Sequence, residues 1–121
     1  MSERHYFADT SFLIDLFNGE DKAVELMETA DSIATSTICF YELSKIANFD
    51  SGKFRSNKVF DFSSDEAETA AEMHRNLSDK GEKIGEIDYL TAAHANDAGR
   101  KLVTRDSDFK KLDLDIKYYE I

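Results

Sequence analysis

Short apolar runs that end at an acid or a hydroxyl and lead straight into a helical stripe recur along this chain, and that alternation leaves few folds open. His5-Tyr6-Phe7-Ala8 stops at Asp9-Thr10-Ser11, after which Phe12, Leu13, Leu16 and Phe17 follow at helical spacing up to Asn18-Gly19. Val24, Met27 and Ala30 share one stripe of a second helix over residues 21–30. Ser32 to Ser36 reads as a short buried strand, and Thr37 stands where a residue would cap a helix bearing Phe40, Leu43, Ile46 and Ala47. Residues 48–58 show no apolar periodicity and are expected to form a mobile loop, with an extended piece over Val59 to Phe62. Ser63 and Glu66 match a capping box ahead of Ala67, Ala70, Ala71, His74 and Leu77. Ile87, Leu90, Ala93 and Ala98 mark another helix closed by Gly99, followed by strands at Lys101 to Thr104 and Lys117 to Ile121. Such elements, joined by connections of a few residues, predict an α/β fold in which a mostly parallel central sheet is covered by helices on both faces, three layers in all.

A chain of 121 residues has room for one domain spanning 1–121, and with 41% apolar residues, nine of them Phe among the aromatics, it can bury a core. No apolar run approaches the roughly 18 to 20 residues that span a bilayer. The opening residues are charged rather than apolar, so a cytoplasmic protein without membrane contact is expected. Cys39 is the one cysteine, which excludes an internal disulfide and a thiolate metal cage, and it reads as a small buried hydrophobe. His74 and His94 lie among alanines and leucines without an HxxxH or HExxH pattern, and read as packed or interfacial side chains rather than ligands. Any metal must be held by oxygen or histidine. The 25 Asp and Glu against 15 Lys and Arg give a net charge of -10, which repels nucleic acid and argues against a binder that neutralises many phosphates.

In an open α/β sheet ligands bind beyond the carboxyl ends of the strands. Acids stand there in this chain: Asp9 after the first strand, Asp106 after the strand ending at Thr104, Glu42 in the helix after the second strand, and Asp88 in the first turn of the helix before Gly99. Singly, each has an ordinary use. Asp9 can cap a helix, Asp88 can lie at a helix N-terminus, and Asp106 and Asp108 are common turn formers. Glu42 differs, because its neighbours Phe40, Tyr41 and Leu43 are apolar or aromatic, and a carboxylate in such company usually has a partner. Converging at one end of a sheet, these charges repel one another and call for a hard divalent cation, Mg2+ or Mn2+.

The segments FADTSFLIDLF, ICFYELSKI and IGEIDYLTAAHANDAGRKLVTRDSDF resemble, in order and context, the three blocks of PIN domains of the VapC-like toxin branch. The resemblance implies a PIN-like fold and metal-activated hydrolysis of RNA phosphodiesters. It makes Asp9, Asp88 and Asp106 metal ligands, Glu42 a ligand or water-orienting base, and Ser11 and Thr104 groups that orient these carboxylates; Asp108 is the alternative to Asp106. Arg105, Lys45, Lys53, Arg55 and Lys58 are expected to steer phosphates. The resemblance further implies a homodimer and a small antitoxin partner. Other readings are a PIN domain that processes RNA or only binds, and a receiver-like signalling module. A receiver pattern wants a paired acid after the first strand and a Lys-Pro late in the chain, whereas this sequence has a single Asp9 there and no proline.

Overall fold

A computed structural model describes residues 3–50 and 58–121. Its sheet comprises β1 (His5–Ala8), β2 (Ser32–Ser36), β3 (Lys58–Phe60), β4 (Lys101–Thr104) and β5 (Ile116–Tyr118). All neighbours pair in parallel, in the order β3-β2-β1-β4-β5. Five helices are described: α1 (Thr10–Phe17), α2 (Asp21–Thr29), α3 (Thr37–Ser44), α4 (Ser64–Asp79) and α5 (Glu86–Asp97), with a 3-10 turn at Ser107–Lys111. The expected α/β/α architecture is thus present, and the sheet is parallel throughout. A receiver-like chain would seat β1 between β2 and β3, in the order 2-1-3-4-5. Here β4 takes that place, which rules that reading out.

Period-two alternation divides the core between the two faces. Tyr6, Ala8 and Val103 join Phe12, Leu13, Ala23, Cys39, Leu43 and Tyr119 on the side of α1, α2 and α3. Phe7, Ala34 and Leu102 join Ala92, Ala95 and Phe109 on the side of α5, and α4 packs outside them through Ala70 and Leu77. Strands buried on both faces need continuous apolar sequence, which is why Tyr6-Phe7-Ala8 and Leu102-Val103 show no polar alternation.

Several local boundaries differ from the pattern reading. Ser36, not Thr37, caps α3, its Oγ accepting from Ile38 N at 3.0 Å, and the helix ends at Ser44, leaving Ile46 and Ala47 outside it. In α2 the buried residue is Ala23, while Met27 faces solvent. On α4 the inner stripe is Ala70, Met73 and Leu77, with Ala67, Ala71 and His74 turned outward. The last strand is Ile116–Tyr118, and β3 stops at Phe60. Of the expected loop over 48–58, only residues 48–50 and 58 are described. The capping box is present: Glu66 Oε1 accepts from Ser63 N at 3.0 Å and from Ser63 Oγ at 2.9 Å. Gly99, at φ 66, turns the chain from α5 into β4 within a few residues, with Arg100 N bonded back to Ala95 O at 3.1 Å.

Phe109 is fully buried and anchors the 3-10 turn to the sheet. Phe109→Ala should cost about 3–5 kcal/mol of unfolding free energy in urea titration, since the ring leaves a cavity beneath the turn.

Candidate active site

The strand order reverses about β1, so the carboxyl ends of β1 and β4 lie side by side. Asp9 follows β1 and caps α1, with φ -83 and ψ 173. Its Oδ1 accepts from Phe12 N at 2.8 Å, Ser11 Oγ lies 2.9 Å from both carboxylate oxygens, and Thr104 Oγ1 donates to Oδ2. Burial pushes Asp9 above the usual carboxylate range, against the pull of its bonds to Thr104, Phe12 and Ser11, and the charge of Asp106 adds to the rise. Thr104 does double duty at the end of β4. Its hydroxyl donates to Asp9 and accepts from Asp106 N at 3.0 Å, so one oxygen ties together the two acid-bearing segments. Asp106 in turn caps the 3-10 turn, its Oδ1 accepting from Asp108 N at 2.9 Å.

Asp88 reaches the same place from the first turn of α5. Gly85 gives it room, because a Cβ there would lie 3.2 Å from Asp88 Oδ2. Asp88, Asp106 and Asp108 each offer an oxygen within 4.8 Å of the others. Burial first, then the charges of Asp106, Asp9 and Asp108, push Asp88 up to about 6, opposed by a backbone bond at Gly85. Among the described residues none of the three acids forms a salt bridge. An oxygen-only donor set with uncompensated charge fits a hard divalent cation such as Mg2+ or Mn2+.

Glu42, also expected at the site, is not one of these three acids. Glu42 pairs with Lys45 at 2.6 Å, and Lys45 also lies 5.0 Å from the Tyr41 ring. Arg105, expected at a phosphate, instead grips Asp15: Nε is 2.7 Å from Oδ2 and Nη2 3.3 Å from Oδ1. Lys58 opens the edge strand β3, while Lys53 and Arg55 lie outside the described residues. Sequence reading passed over Asp15, a buried carboxylate that also accepts from Tyr119 Oη at 2.7 Å. The signal that singled out Glu42 applied to it equally, for Asp15 stands between Leu13-Ile14 and Leu16-Phe17. His94 is packed as expected, with its ring centroid 5.1 Å from Phe7 and Nε2 3.7 Å from Glu66. Cys39 is buried, and burial pushes its thiol up.

A parallel sheet with acids gathered at the ends of β1 and β4 matches a known family. The PIN domain model matches residues 6–114, and the chain belongs to that family. Among solved structures it is similar to a chain of the VapBC2 complex from Rickettsia felis bound to a DNA fragment from its promoter, at 27% identity and TM-score 0.79, covering 96% of this chain and 99% of that one. A toxin-antitoxin complex from Klebsiella pneumoniae gives 24% identity and TM-score 0.79 over the same shares, 96% and 99%. VapC20 from Mycobacterium tuberculosis, a Sarcin-Ricin loop cleaving toxin, gives 21% and 0.68 over 87% and 92%. These likenesses bear out the VapC-like resemblance read from the three sequence blocks. A search of curated proteins finds no match. No described helix is long and apolar enough to cross a membrane.

The raised pKa of Asp88 sets a pH dependence. An Asp titrates near 3.8 in its ordinary state and near 6 in the fold, so the folded protein holds an extra proton between those values. This contribution to stability is complete below pH 3.8 and is lost as pH rises through 6. Without divalent cations at about pH 7.5, Asp88→Asn should therefore be more stable than wild type by about 1–2 kcal/mol, after discounting for solvent screening. Thermal melts in EDTA from about pH 4 to about pH 8 check this, and the variant should lose the slope centred between the two pKa values.

Proposed function

We propose that this chain is a divalent-cation-dependent endoribonuclease serving as the toxin of a toxin-antitoxin pair. The observation that carries the reading is the uncompensated trio Asp88, Asp106 and Asp108 beside Asp9, at the carboxyl ends of the sheet. Membership of the PIN family and likeness to VapBC complexes support it. So does the likeness in fold to VapC20, a toxin that cleaves the Sarcin-Ricin loop. In this reading residues 1–121 work as one cytoplasmic nuclease domain.

Asp9, Asp88 and Asp106 would hold Mg2+ or Mn2+, with Asp108 as a further oxygen donor. Such a cation polarises a phosphodiester, acidifies nearby water and neutralises developing charge. The chain's own groups prepare the site for it. Ser11, Thr104 and Phe12 N fix the orientation of the Asp9 carboxylate. Asp88 gives up its proton near pH 6, so its own carboxylate is ionised at neutral pH. Glu42, whose Oε2 pairs with Lys45 Nζ, is assigned either to hold the cation or to orient the attacking water. Lys53, Arg55 and Lys58 are assigned to RNA phosphates. Lys45 and Arg105 can join them only after leaving Glu42 and Asp15. A net charge of -10 suits an antitoxin that brings basic side chains to the acids. The exposed side chains of Phe17, Tyr41 and Ile46 offer apolar surface of the kind that protein partners, including a second copy in a homodimer, cover.

RNA cleavage by the purified protein with Mg2+, Mn2+ or EDTA tests the reading, run beside Asp9→Asn and Asp88→Asn. Chelation should abolish cutting, and each variant should lose about 100-fold or more with its circular dichroism unchanged. Equal activity in wild type and variants would assign the cutting to a contaminant. RNA binding without cutting or cation binding would favour a non-catalytic PIN domain.

A further inference from the structure

Asp15 is 4% exposed, and a carboxylate so placed is costly unless paired. Two residues from different segments satisfy it: Arg105 by a two-point contact at 2.7 and 3.3 Å, and Tyr119 by a 2.7 Å hydrogen bond. Burial raises the pKa of Asp15, but the bonds to Arg105 and Tyr119 outweigh it and hold the carboxyl below its ordinary value. Arg105 stands between Thr104, the last residue of β4, and Asp106, whose amide bonds back to Thr104 Oγ1 at 3.0 Å. Its guanidinium reaches Asp15 on α1, whereas the neighbouring Asp106 carboxylate lies with Asp88 of α5. The grip on Asp15 therefore fixes which way the acid next to Arg105 points. The position needs such a restraint, because Asp88, Asp106 and Asp108 repel one another and no described salt bridge relieves them.

From this geometry we infer that Asp15, Arg105 and Tyr119 form a clamp that positions Asp106 in the acidic cluster ahead of the cation, Arg105 acting as a positioning residue rather than a phosphate contact. The inference rests on the cation site of the proposed function for its purpose, but the clamp itself can be examined without metal. The Asp106 amide is bonded to Thr104 Oγ1 and the Asp108 amide to Asp106 Oδ1, so both report on the segment.

The experiment measures hydrogen exchange of these two amides, with Ala92 and Ala93 as core references, and Mn2+ affinity by calorimetry. Both are read in wild type, Asp15→Asn, Arg105→Ala, Arg105→Lys, Tyr119→Phe and the Asp15→Asn/Arg105→Ala double variant. Arg105 is 42% exposed at its side chain, and Tyr119→Phe removes only a hydroxyl, so folded protein is available for comparison. The clamp requires faster exchange at 106 and 108 with the references unchanged. It also requires Mn2+ affinity about tenfold weaker in Arg105→Ala, and a double variant no worse than either single. Arg105→Lys should fall between, since lysine restores the charge but not the two-point contact. Unchanged amides overturn the inference, as does faster exchange with Mn2+ affinity intact. A raised KM for RNA with both readouts unchanged would return Arg105 to the phosphate role. If wild type binds no Mn2+, the functional reading falls, and the amides alone then decide the clamp.

Discussion

The pairing of β1 with β4 is the constraint on which the rest of the site depends. Phe7 opposite Leu102 and Ala8 opposite Val103 bring the ends of two strands nearly a hundred residues apart in sequence into one line. Everything that follows these strands is then forced together: Asp9 on one side, Thr104 and Asp106 on the other. Because Ala8 and Val103 are fully buried, the two ends cannot drift apart without opening the core. The Thr104 hydroxyl completes the link, satisfying Asp9 and the Asp106 amide at once. A serine could make the same bonds, but threonine's branched Cβ also suits the strand that presents it.

Against this rigid frame stands the repulsion that it imposes. Four aspartates at one end of a sheet destabilise the fold that gathers them: burial above all, with the neighbouring charges added, shifts Asp9 and Asp88 upward. Proteins commonly accept such a penalty where a site must be ready for a charged ligand. Here the penalty is spread unequally. Asp9 is stabilised by three neutral donors, whereas Asp88 has little beyond a backbone contact. Lys45 and Arg105 are paired with Glu42 and Asp15, so neither ion pair neutralises the three acids of the cluster.

How much of this was legible in the sequence follows from the range of the interactions involved. The strand-helix alternation is local, and so the three-layer fold and the acids at strand ends could be read directly. Asp9 as a helix cap was visible in Asp9-Thr10-Ser11, and the capping box in Ser63 and Glu66. Boundaries set by a single hydrogen bond were less so: Ser36 rather than Thr37 caps α3 because its Oγ, not its neighbour's, reaches Ile38 N. The fate of Arg105 was hidden for a different reason. Its partner Asp15 is 90 residues away, and only the pairing of β1 with β4 brings α1 beside that segment. The acidity of α1 gave a clue, since a carboxylate amid Leu13, Ile14, Leu16 and Phe17 must find a cation somewhere.

Charge ties these threads together. On the proposed reading, a chain with a net charge of -10 faces long-range repulsion from RNA, and Lys45 and Arg105 are already engaged by Glu42 and Asp15. On the proposed reading a divalent cation therefore serves two ends. It relieves the cluster that the fold has assembled, and it supplies the positive charge that the protein itself withholds from the phosphate. A basic protein partner reaching the same acids would meet the first need while blocking the second, so neutralisation of the cluster by side chains rather than by metal is a physically sufficient means of keeping such a nuclease silent.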